Sequence, residues 1–121
     1  MSTSHKRILC IECYEDTCEL ITLHLKDCKV FSVHSEAEAL HLATSEEFDL
    51  FSLDYYLPDG TGVEVCIFIR AFDKTTPIIF VTNEVSITEE QIVALGAQSL
   101  VKKGINYSVD LVETISKHLR K

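Results

Sequence analysis

Five short, mostly apolar runs alternate with amphipathic segments along this 121-residue chain. Each run has the length of a buried strand and is followed by a polar residue, and the intervening segments carry apolar residues at helical spacing. Strict alternation of strand and helix implies a parallel sheet with right-handed crossovers and helices on both faces. The five predicted strands are Ile8–Ile11, Val30–Val33, Leu50–Leu53, Ile78–Val81 and Ser99–Lys102.

A short chain with this pattern suits the flavodoxin-like (βα)5 three-layer sandwich, an α/β fold with a parallel five-stranded sheet of order 2-1-3-4-5. Its length fits one domain over residues 1–121. No apolar run approaches the roughly 20 residues of a membrane span. The first residues lack the apolar core of a signal sequence, so we expect a cytoplasmic protein.

Capping residues predict where the helices begin. Thr61 and Glu64 have the spacing of a capping box and predict a helix from about Gly62 to Phe72. Ser86 and Glu89 have the same spacing and predict the start of the fourth helix. The remaining helices are predicted over about 15–26, after Ser35, and from 106–108 onward.

Two residues on the predicted helices test which faces are buried. His24 falls on the apolar side of the first helix, so we expect a packed side chain. Ile67 falls nearly opposite the apolar face of the third helix and is expected to be exposed. An exposed isoleucine is either a scattered surface residue or part of a docking patch.

Charge and cysteine content argue against several classes of function. The formal net charge of −8 disfavours direct binding to nucleic acid or to an anionic membrane. The five cysteines are an odd number in a chain long enough to form a core, so a disulfide framework is not expected. Cys10 and Cys13 form a C-x-x-C pair, but their side chains would point to opposite faces of a strand.

Polar side chains follow four of the predicted strands, and these strand ends share one edge of a parallel sheet. They are Glu12, Asp54, Thr82 and Lys103. A carboxylate that accepts a phosphoryl group needs such neighbours, because acids hold a hard cation while a hydroxyl and an ammonium contact the transferred group. The sequence therefore predicts a phosphoryl-accepting site centred on Asp54.

The chain resembles the receiver domains of response regulators in two-component signalling. The resemblance covers nearly the whole chain and is most specific in the segment D-x-x-L-P-D-x-x-G that begins at Asp54. The other matching features are Asp49-Leu50, Ala39-Leu40, Ile69-Arg70, Pro77 to Thr82, and Gly96-Ala97 before Lys103.

The resemblance implies a role for each of these residues and identifies the partners. Asp54 is the phosphoacceptor, Thr82 the switch hydroxyl and Lys103 the phosphate-pairing lysine. Glu12, Asp54 and the backbone carbonyl of Tyr56 hold Mg²⁺. The protein is then a non-enzymatic signalling domain whose partners are a histidine kinase or phosphotransfer protein, a downstream output protein and, as an open alternative, a second copy of itself.

Departures from the receiver pattern, among them Ser52 in place of an apolar strand residue, leave a second hypothesis open. Cys13 replaces the acid that most directly ligates Mg²⁺, and a thiol is a poor ligand for a hard cation. Asn83 replaces a very small residue, Leu100 the aromatic switch residue, and Gly104 the proline after the lysine. The alternative function is a pseudo-receiver, a protein-interaction module that works without phosphorylation. A flavodoxin-like cofactor binder is disfavoured because no glycine-rich loop follows the first strand.

Overall fold

The computed structural model describes residues 5–119 of the chain. The first four residues, where no signal sequence is expected, lie outside the described residues. The strands of the main sheet are β1 (Arg7–Ile11), β2 (Lys29–Val33), β3 (Leu50–Asp54), β4 (Ile78–Thr82) and β5 (Ser99–Lys102). The helices are α1 (Asp16–His24), α2 (Glu36–Ser45), α3 (Gly62–Phe72), α4 (Glu89–Ala94) and α5 (Tyr107–Leu119).

The main sheet is parallel and has the strand order β2-β1-β3-β4-β5, which confirms the predicted flavodoxin-like fold. Its two faces are covered by different helices. Apolar residues of α2, α3 and α4 pack on one face, and apolar residues of α1 and α5 pack on the other. Within the described part of the chain, no helix combines the length and the apolar character that a membrane crossing requires.

The strand register places the carboxyl ends of three strands side by side. Ile11 of β1 is paired with Leu53 of β3, and Asp54 of β3 is paired with Val81 of β4. The residues that follow these strands therefore meet at one edge of the sheet. A short hairpin, Tyr56–Leu57 with Gly60–Thr61, continues from β3 and leads into α3.

Local capping explains where α3 and α4 begin. Thr61 and Glu64 form the predicted capping box, and α3 has the predicted bounds. The prediction for α4 was wrong in its cap: Thr88 and Gln91 form the box, and the Ser86 hydroxyl donates to Glu84 instead. Both pairs have the same sequence spacing, so tertiary packing selects between them.

The helix faces confirm one expectation and correct another. Ile67 is 55% exposed, as its position on α3 predicts, whereas the neighbouring Ile69 is fully buried. His24 is exposed rather than packed, because it lies in the last turn of α1. Its Nδ1 atom contacts the carbonyl oxygen of Leu20 at 3.1 Å, within the same helix.

Candidate functional site

Asp54 ends the central strand and lies next to β4 at the carboxyl edge of the sheet. Its partner in the register is Val81, so the Cα atoms of Asp54 and Thr82 are about 6 Å apart from strand spacing and rise. Burial raises the pKa of the Asp54 carboxyl, whereas Lys103 and the backbone N–H groups of Cys13 and Tyr55 oppose that shift. The acid is thus partly desolvated next to a cation.

Gly62 holds the loop after β3 tightly against Asp54. Its N–H donates to the carbonyl oxygen of Tyr55 at 2.8 Å. A Cβ atom at this position would lie 2.2 Å from the carbonyl oxygen of Asp54, a distance that no side chain tolerates. The glycine that ends the motif is therefore required for the backbone to pass close to the predicted phosphoacceptor.

Cys13 contacts two of the predicted metal ligands. Its thiol donates to the carbonyl oxygen of Tyr56 at 3.2 Å, and its backbone N–H reaches the Oδ2 atom of Asp54 at 3.5 Å. Burial, followed by the charge of Asp54, raises the pKa of the Cys13 thiol. A neutral thiol therefore lies where the resemblance expects an ionised carboxylate.

Glu12 uses its carboxylate to cap α1. One oxygen accepts the backbone N–H of Thr17 at 3.0 Å, and the other accepts the N–H of Cys18 at 2.8 Å. The residue is only 2% exposed, and burial raises the pKa of its carboxyl to about 7. The two hydrogen bonds satisfy N–H groups that the first turn of a helix leaves unpaired. Metal ligation by Glu12 stays a prediction and would compete with this cap.

Thr82 and Lys103 each have an alternative partner at the edge of the sheet. The hydroxyl of Thr82, a residue 1% exposed, accepts the N–H of Glu84 at 3.1 Å. The Lys103 Nζ atom lies 3.4 Å from Oδ2 of Asp16. The structure therefore brings Asp54, Thr82, Lys103 and Cys13 to one edge. A phosphoryl group there would compete with Asp16 for Lys103, whereas the contact with Glu84 does not use the O–H of Thr82.

Comparison with known proteins identifies the family to which this geometry belongs. The model of the response regulator receiver domain matches residues 8–116. The chain is a response regulator receiver domain. This family consists of signalling domains of two-component systems, which agrees with the site at the strand ends.

Individual relatives agree with the family in fold and in extent. The regulatory protein VanR of Enterococcus faecium is 29% identical over 119 residues, which are 95% of this chain and 50% of VanR. Transcription factor prr1 of Schizosaccharomyces pombe is 33% identical over 63 residues, or 52% of this chain and 12% of prr1. The chain thus spans half or less of these two relatives.

One of the solved structures that the chain resembles was determined as a complex with Mg²⁺ and BeF. The response regulator TrrA of Thermotoga maritima, in complex with Mg²⁺ and BeF, is 28% identical and superposes with a TM-score of 0.80. The alignment covers 93% of this chain and 98% of TrrA. The two chains therefore share the receiver fold over nearly their whole lengths.

The receiver site offers magnesium a reduced set of oxygen ligands. The carboxylate of Asp54 and the carbonyl of Tyr56 are both next to Cys13, so they lie close together. Mg²⁺ is commonly bound through one or two carboxylates together with phosphate oxygens and water. These two oxygens are of the kind that Mg²⁺ prefers, and the Cys13 sulfur cannot replace the missing carboxylate. A weakened magnesium affinity stays a prediction.

Two acids near the receiver site were missed by the sequence analysis. Asp59 lies in the turn after β3 and caps α2 by accepting the N–H groups of Glu36 at 2.6 Å and Ala37 at 3.2 Å. These hydrogen bonds lower the pKa of Asp59. Asp16 forms the ion pair with Lys103 across 87 positions of sequence. From the sequence, the position of Asp16 in the first turn of a helix predicts only a favourable interaction with the helix dipole.

Proposed function

We propose that this receiver accepts a phosphoryl group on Asp54 from a phosphohistidine of a kinase or phosphotransfer protein. The observation that supports this function most directly is the partly desolvated Asp54 carboxylate beside Lys103 at the end of β3. A carboxylate in this setting is a nucleophile, and the nearby ammonium attracts the dianionic group that it receives. Transfer is self-catalysed by the domain, which otherwise acts in signalling.

The transfer step uses one oxygen of Asp54. A lone pair on that oxygen attacks phosphorus, the P–N bond of the phosphohistidine breaks, and its electron pair returns to the imidazole. Asp54 and the Tyr56 carbonyl would hold Mg²⁺, which would supply neutralising charge for the phosphoryl oxygens. Its affinity is low because Glu12 caps α1 and Cys13 is a neutral thiol.

Acceptance of the phosphoryl group requires exchange of partners. Lys103 leaves Asp16 and donates to phosphoryl oxygens, while the Thr82 hydroxyl accepts the N–H of Glu84 through its oxygen and donates its own proton. Because the Lys103 ammonium gives up its contact with Asp16, the net free energy gained on phosphorylation is reduced. The effect on the rest of the domain is correspondingly small.

Output from this receiver is transmitted through packing and is weak. Leu100 of β5 is partly buried against the core and carries no polar group that could follow Thr82 through a hydrogen bond. A small difference in contacts between two states permits only a small population shift. The names of the relatives, a transcription factor and a regulatory protein, support an output partner or an attached output domain involved in gene regulation.

Incubation with a small phosphoryl donor tests the acceptor directly. We expect acetyl phosphate with Mg²⁺ to add the mass of one phosphoryl group, which intact-mass spectrometry detects. Asp54→Asn should abolish the addition, whereas Asp110→Asn, which changes an exposed acid on α5, should leave it unchanged. Phosphorylation that survives in Asp54→Asn would contradict the assignment.

The pseudo-receiver is the second candidate, and the thiol of Cys13 beside the predicted metal ligands favours it. Beryllofluoride with Mg²⁺ measures the strength of the coupling through self-association followed by analytical ultracentrifugation. A weak phospho-switch predicts less than a tenfold change, or less than about 1.4 kcal/mol of coupling. A larger change would refute weak coupling. Failure to phosphorylate at saturating Mg²⁺ would support the pseudo-receiver.

A further inference from the structure

A pair of cysteine thiols lies outside the phosphoacceptor site, between the sheet and α1. The Sγ atoms of Cys10 and Cys18 and a carboxylate oxygen of Glu12 all lie within 4.8 Å of one another. Cys10 is at the centre of β1, and Cys18 is in the first turns of α1. Both thiols are free. The pairing joins Cys10 to Cys18 and not to Cys13, the other half of the C-x-x-C sequence.

The two thiols differ in their access to solvent. Cys10 is fully buried, whereas Cys18 is partly exposed. A small dissolved oxidant therefore reaches Cys18 first. Cys10 is buried next to Cys18, where its thiol can react with an oxidised Cys18. This arrangement of an accessible thiol above a second, resolving thiol is typical of cysteines that are oxidised reversibly.

We propose that Cys10 and Cys18 form a peroxide-oxidisable dithiol, a modification site in which Cys18 is oxidised and Cys10 closes an intramolecular disulfide. The site is separate from phosphorylation: it requires neither Asp54 nor magnesium. The disulfide would join the centre of β1 to α1, and so would fix the helix whose N-terminus Glu12 caps.

The chemistry proceeds in two balanced steps with a hydroperoxide as the oxidant. The Cys18 sulfur attacks the peroxide, the O–O bond breaks, and Cys18 becomes a sulfenic acid while the other oxygen leaves as water or an alcohol. The Cys10 sulfur then attacks the Cys18 sulfur, the S–O bond breaks, and water leaves with the Cys10 proton. Two thiols lose two electrons, and the peroxide gains them.

Treatment of the purified full chain with hydrogen peroxide, followed by peptide mapping, tests this proposal. We expect the protein to lose the mass of two hydrogen atoms and to yield a peptide that links Cys10 to Cys18, both reversed by dithiothreitol. Cys10→Ser should abolish the link and leave a sulfenic acid on Cys18 that dimedone labels. Cys66→Ser is the matched control, since it also removes a fully buried thiol, and it should retain the link.

Three results would overturn the proposal. The first is a Cys18 sulfenic acid that persists in the wild-type chain without forming the link. The second is a disulfide that joins Cys10 to Cys13. The third is a thiophilic metal such as Zn²⁺ that copurifies with the chain and protects both thiols from peroxide, which would assign the cluster to metal binding.

Discussion

Replacing Cys13 with aspartate is expected to tighten magnesium binding. The Cys13 Sγ atom lies 3.2 Å from the Tyr56 carbonyl oxygen, one of the two proposed ligands. An ion bound to that oxygen at about 2.1 Å would lie within about 4 Å of a carboxylate at position 13. Two unit charges at 4 Å interact by about 1 kcal/mol in water, so a dication gains about 2 kcal/mol. This gain corresponds to a roughly 30-fold lower dissociation constant.

Isothermal titration calorimetry at constant ionic strength measures this change. Cys13→Ala removes the thiol without adding charge, so it should change affinity far less than Cys13→Asp. Cys28→Asp adds the same charge before β2, at the opposite edge of the sheet, and should have little effect because salt screens the greater distance. A Cys13→Asp protein with affinity within twofold of the wild type would show that Cys13 does not lie at the metal site.

Three further predictions concern stability, each measured by urea denaturation. Ile67→Glu should change the unfolding free energy little because Ile67 is exposed, whereas Ile69→Ala should lower it by about 2–5 kcal/mol because Ile69 is buried. Comparable losses in the two variants would contradict the assigned helix face. Gly62→Ala should lower the unfolding free energy by about 1–3 kcal/mol or prevent folding, because its Cβ atom would meet the Asp54 carbonyl. Gly104→Ala should leave the unfolding free energy unchanged, because the space around Gly104 is open. Equal effects of the two substitutions would refute the close approach at Gly62. Glu12 has a folded pKa of about 7, above its unfolded value, so the folded state binds more protons between about pH 4.5 and 7. The stability of the wild type relative to Glu12→Gln should therefore fall as pH rises through this range. A rise would contradict the desolvation of the Glu12 carboxylate.

The sequence alone determined the fold and the position of the predicted phosphoacceptor. Alternating strands and helices limit the chain to a parallel sheet with helices on both faces, and a short chain with five such strands suits the flavodoxin-like order. The segment from Asp54 to Gly62 marked the end of the central strand, because a carboxylate, a turn and a capping box follow an apolar run. These features are local, so they can be recognised without knowing which distant residues come into contact.

Only the tertiary structure decided how the polar side chains at the sheet edge are used. Glu12 and Cys13 are adjacent in sequence, yet one caps α1 and the other lies against Asp54 and Tyr56. Asp16 pairs with Lys103 across 87 positions, and no spacing rule connects them. A side chain of this kind selects among several nearby partners according to burial and distance. Those quantities depend on the packing of elements that are remote in the chain, so composition and periodicity do not contain them.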